Sequence, residues 1–152
     1  MLCEELTVHE FLLFAAQARG TDYEKSVRQA REAEELCELY EKRERMIRNL
    51  SARERVRLCL AQTAVGGGEI LLLAQPLATL NDAAQEELIP LLEEIFEGKT
   101  VFVSDTDRER LCRLCDTLLI LEDGKLTAVE ELPPKEQSGI AEQTCKEGGA
   151  TE

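Results

Sequence analysis

Tryptophan is absent from this chain, and aromatic residues of all kinds make up only 4% of it. Packing must therefore rest on Leu, Ile, Val and Ala, and a hydrophobic content of 43% is enough for a globular core. Histidine occurs once, at His9, so any Ser–His or Cys–His mechanism has a single candidate base. Basic residues are the minority, 18 against 31 acidic ones, and the formal net charge is -13. Nucleic acid and anionic membrane surfaces repel such a protein, which excludes both as direct partners. No apolar run reaches the roughly 20 residues needed to span a bilayer. The start, MLCEELTVHE, lacks the basic and then apolar pattern of a secretion signal. These absences predict a cytoplasmic location, with no direct membrane insertion.

A P-loop is also missing from the 152 residues. That motif needs G-x-x-x-x-G-K-[ST] between a strand and a helix, so that backbone N–H groups and the Lys cradle phosphates. Gly98-Lys99-Thr100 supplies the last three positions, but Glu93 stands where the first Gly belongs, and the triplet precedes a strand. Gly66-Gly67-Gly68 has no nearby Lys and leads into a strand, as a helix-to-strand turn does. The six cysteines are expected as free thiols in a reducing compartment. Cys112 and Cys115 form one C-x-x-C at the end of a helix, whereas zinc needs four ligands and a redox pair should open a helix. No metal or cofactor is expected.

What is present is strong helix and strand patterning. Thr7 to Glu10, Thr21 to Glu24 and Ser51 to Glu54 each read as a capping box. They predict a helix to about Gly20, a charged helix to about Tyr40 with Val27, Ala30, Leu36 and Leu39 inward, and a helix carrying Val56, Leu58, Leu60 and Ala61. The runs at 70–74, 100–104 and 117–121 suit buried parallel strands, with Leu71, Leu73, Phe102 and Leu119 in the core. A helix over 82–97 and a short one over 107–115 separate them, and Asp123-Gly124 turns a hairpin into 125–129. Strands alternating with helices imply right-handed crossovers and a parallel sheet. The expected organisation is a helical part over 1–63, an α/β part over 64–132 and a disordered acidic tail over 133–152.

The order of these segments resembles the ATP-binding subunit of ABC transporters, downstream of its glutamine loop. LTVHEFLLFAAQARG is similar to the opening of the family's helical subdomain. MIRNLSARERVRLCLAQ resembles the signature LSGGQ-x-x-R and its helix, with Leu50, Ser51, Ala52, Arg53 and Glu54 as the signature-like residues. EILLLAQP resembles the Walker B stretch, LATLND the D-loop, GKTVFVSDTD the switch strand and LCDTLLILEDGKL the closing strand–turn–strand. The fold implied is α/β: a truncated P-loop-NTPase-like parallel sheet with a helical subdomain at the N-terminus and a C-terminal β-hairpin.

The departures from the family fall on its chemistry. Ala74 stands for the Walker B Asp, Gln75 for the Glu that polarises the attacking water, Asn81 for the D-loop Asp and Thr106 for the switch His. An amide cannot act as a general base. Ala52 and Arg53 replace the signature glycines that let backbone amides approach a phosphate. The resemblance therefore implies a catalytically inactive relative acting through contact with an ATPase subunit or a permease, peripheral to the membrane in the second case, with a dimer open to it. Its partner-binding part is expected at Phe11, Leu12 and Phe14, which cannot all face inward because adjacent helical residues diverge by about 100°. Two alternatives stand beside this: a split subunit completed by a separate P-loop chain, and a small enzyme of unrelated type built on His9.

Overall fold

A computed structural model describes residues 2–65 and 67–133. Most of the segment expected as an acidic tail lies outside them, as do Gly66 and Cys145. The described elements are helices α1 (Val8–Gln17), α2 (Tyr23–Leu36), α3 (Ala52–Ala64), α4 (Asp82–Phe96) and α5 (Arg108–Leu114), with strands β1 (Ile70–Ala74), β2 (Thr100–Ser104), β3 (Thr117–Glu122) and β4 (Lys125–Glu131). The described residues fall into two compact units, divided between Phe102 and Val103. Within the first unit α3 packs on α1, α2 and α4.

Local capping starts the helices of the first unit. Thr7 and Ser51 each accept from the backbone N–H three residues on, while Glu10 and Glu54 return the bond to the cap. The cap of α2 is Asp22 rather than Thr21, its carboxylate accepting from the Lys25 N–H. A carboxylate also complements the positive end of the helix dipole, which a threonine hydroxyl does not. α2 stops at Leu36, short of Tyr40. Glu38 turns left-handed at φ 55, and the Leu39 N–H reaches back to the Glu34 carbonyl at 2.7 Å while that of Glu38 reaches Glu35 at 3.1 Å. This is a Schellman closure built without glycine, and buried Leu39 supplies its apolar contact.

The core of the first unit lies between helices. Val8, Leu12, Leu39, Ile47, Leu58, Leu60, Leu88 and Leu92 are all fully buried there. Within it, Glu34 of α2 has no exposure, and its carboxylate accepts from His9 Nδ1 at 2.6 Å. Arg43 Nε stands 3.7 Å from the other carboxylate oxygen, and Arg43 lies over the Tyr40 ring at 5.5 Å.

β1 and β2 form one two-stranded sheet. The Thr100 N–H donates to the Glu69 carbonyl at 2.8 Å, so both strands begin at the same end and run parallel, with α4 as the crossover. β3 does not extend that sheet as a third parallel strand. It pairs antiparallel with β4, from Thr117↔Glu131 to Glu122↔Lys125, with a bulge between Ile120 and Leu121. The α/β class, the parallel pair, the helical front and the closing hairpin are as expected; the single three-stranded sheet is not.

Burial on the strands corrects the expectation further. Leu71 is buried and Leu73 half-buried, but Phe102 and Leu119 are 53% and 52% exposed. Ile70 and Leu72 are bare as well. Apolar runs read as strands covered on both faces, and among the described residues only alternate positions are covered. In the second unit the same holds for the hairpin. Leu118 and Leu114 are buried where α5 meets β3, whereas Leu119, Leu121, Leu126 and Val129 are exposed on directly opposed pairs.

Candidate functional site

The residues with the clearest functional pattern fall at three helix starts and one strand end. Leu50 to Glu54 open α3. Leu50 is buried and anchors the turn, Ser51 and Ala52 are exposed, and Arg53 and Glu54 are half-buried. The Ser51 N–H donates to Glu54 Oε2 at 2.7 Å, and Ser51 Oγ accepts from the Glu54 N–H at 3.3 Å. Lys42 Nζ lies 2.8 Å from Glu54 Oε1, and Arg45 lies 3.6 Å from the same atom. The Lys42 hydrogen bond first, then the Ser51 N–H, holds the Glu54 carboxyl down at about 2. The start of α3 is thus closed by a reciprocal capping box, with the Glu54 carboxylate held on the Ser51 N–H.

Arg53 does not project freely from this turn. Its guanidinium pairs with Glu87 of α4, and Arg57, nearly buried, joins the same carboxylate at 3.2 Å while donating to the Cys37 carbonyl at 3.3 Å. Lys42, Arg43, Arg45, Arg48, Arg53, Arg55 and Arg57 all pair with carboxylates of this chain. These basic residues are paired within the chain.

A pH effect follows from Glu54. Its folded-state pKa lies below the ordinary value of 4.5, so its contribution to stability is present above that value and is lost as pH falls toward about 2. In acid titration followed by circular dichroism, Glu54→Gln is expected to flatten the loss of stability between pH 4.5 and 2. A Gln variant with the parent's acid profile would show that Glu54 carries no such linkage.

At the C-terminal end of β1, Ala74 and Gln75 are both exposed. Gln75 takes φ 45, a left-handed conformation uncommon for a residue with a side chain. It precedes Pro76, and its carbonyl accepts from the Ala78 N–H at 3.2 Å, closing a turn. Asn81 begins α4, its side chain accepting from the Ala84 N–H at 3.0 Å. Among the described residues no group of His, Cys, Asp or Glu is arranged to hold a metal ion.

In the second unit Thr106 is exposed in the loop after β2. Its neighbours close that loop: Arg110 pairs with Asp105 at 2.5 Å and with Asp107 at 3.1 Å, and Asp107 caps α5. Burial works to raise the Asp105 pKa, but the Asp107 N–H and the Arg110 guanidinium outweigh it and hold it below the usual value.

No family model matches this chain. It is 28% identical over 139 residues to an ABC transporter ATP-binding protein of Methanosarcina mazei, a stretch covering 91% of this chain and 28% of that protein. It is 28% identical over 123 residues to the energy-coupling factor transporter ATP-binding protein EcfA of Carboxydothermus hydrogenoformans, covering 80% and 46%. It is 30% identical over 134 residues to the molybdenum import ATP-binding protein ModC of Rhodopseudomonas palustris, covering 86% and 35%. The chain is related to the ATP-binding proteins of ABC transporters. It spans less than half the length of each of these three relatives.

Ala74 ends β1, Gln75 follows it, and Asn81 caps α4. The signature-like residues sit at a helix start, as expected for that segment. Of the expected partner-binding residues, Phe11 and Leu12 are buried in α1, which removes them from any contact surface; Phe14 is 63% exposed. Cys115 caps the end of α5, so the C-x-x-C closes that helix instead of opening one. His9, the single candidate base, is engaged with Glu34 and stands near Arg43.

Two features escaped the sequence. The Glu34 carboxylate buried against His9 looks in sequence like one more acid of a charged helix. The pairing of Arg53 and Arg57 with Glu87 joins residues 30 or more apart in the chain. The Glu54 cap, in contrast, had a local signal, the Ser51–Glu54 spacing.

Proposed function

We propose that these residues form a non-hydrolysing relative of the ABC transporter ATP-binding proteins, one that works by contact with an intact ATP-binding subunit or a membrane permease. The observation that carries this reading is the end of β1, where Ala74 and Gln75 provide no carboxylate. Magnesium bound at such a strand end needs hard, charged oxygen ligands, and an attacking water needs a base. Thr106 supplies no imidazole, and Arg53 at the start of α3 brings a side chain where the family's signature has glycine. Binding to a permease would make the chain peripheral to a membrane; among the described residues no helix is long and apolar enough to cross one.

The purified chain is expected to release no phosphate from magnesium–ATP above background. Release that is abolished by substituting Gln75 or Thr106 would overturn the proposal.

The contact surface we assign is the outer side of α1 around Phe14. Phe14→Glu is expected to leave the thermal midpoint within a few degrees of the parent, because the ring is exposed, and to lose capture of a permease or ATP-binding subunit identified by mass spectrometry. Undiminished capture by the folded variant would exclude Phe14 from the contact.

A second reading, in which a separate polypeptide carries the P-loop and this one completes its fold, is favoured by the bare apolar strand residues Ile70, Leu72 and Phe102. Co-expression with the product of a neighbouring P-loop reading frame separates the two: a joint complex with ATPase activity supports the second reading, and an inactive complex the first.

A further inference from the structure

We draw no further inference here: the strongest candidate, the bare apolar face that Ile70, Leu72 and Phe102 present on the two-stranded parallel sheet, already carries the second reading above, and nothing in the structure shows what else covers it.

Discussion

Replacing His9 with Ala is expected to cost roughly 3 kcal/mol of stability, because it strips the closest partner from a fully buried carboxylate. Glu34 has no exposure, and its Oε1 accepts from His9 Nδ1 at 2.6 Å. An Arg43 guanidinium nitrogen also lies 3.2 Å from the same Nδ1. With His9 gone, Glu34 would keep, among the described residues, Arg43, whose Nε is 3.7 Å away and outside hydrogen-bonding range. Urea denaturation measures the loss. The double variant His9→Ala/Glu34→Leu is expected to recover much of it, because the uncompensated charge leaves with its partner. A single variant as stable as the parent would mean that Arg43 alone satisfies Glu34.

The second large effect separates two adjacent leucines. Leu71→Ala is expected to cost about 2–5 kcal/mol as a core truncation. Leu72→Ala is expected to stay within about 0.5 kcal/mol of the parent, the range of ordinary surface substitutions. Leu71 is 5% exposed and Leu72 is 77% exposed. The same urea experiment measures both variants. Equal, large losses at the two positions would show that the outer face of β1 is covered in the folded protein in solution.

The leucine pair also shows where sequence reasoning stops. Ile70 to Leu73 is apolar throughout, so periodicity carries no information about which side faces the core. A strand's side chains alternate between two faces, and the covering layer decides which of them is buried. For the same reason Phe102 and Leu119, expected in the core, are exposed. The pairing of β3 is a similar case. Asp123-Gly124 announced the hairpin with β4, but nothing in 117–121 distinguishes a strand that joins β1 and β2 from one that pairs with β4 alone.

Capping followed another logic. The Thr7 and Ser51 boxes were legible because a cap and its return bond lie three residues apart and need no distant partner. At α2 two adjacent residues could cap, and the carboxylate of Asp22 took the place from Thr21. The end of α2 was missed because Glu38, not glycine, adopts the left-handed turn, and the burial of Leu39 that accompanies this closure is a tertiary event.

The candidate site divides along the same line. The chemistry of positions 74, 75, 81 and 106 is a matter of side-chain identity: Ala, Gln, Asn and Thr have neither carboxylate nor imidazole in any fold. The strand and helix signals around them placed Gln75 after β1 and Asn81 before α4 because those signals are local. Tertiary structure alone could bury Phe11 and Leu12 and leave Phe14 outside, since three neighbouring apolar residues on one helix are ranked only by what packs against it. It alone could bring Glu87 to Arg53 and Arg57, and His9 to Glu34. Such pairs join segments from 25 to 34 residues apart, and their energies depend on distance and burial, which side-chain identity does not carry.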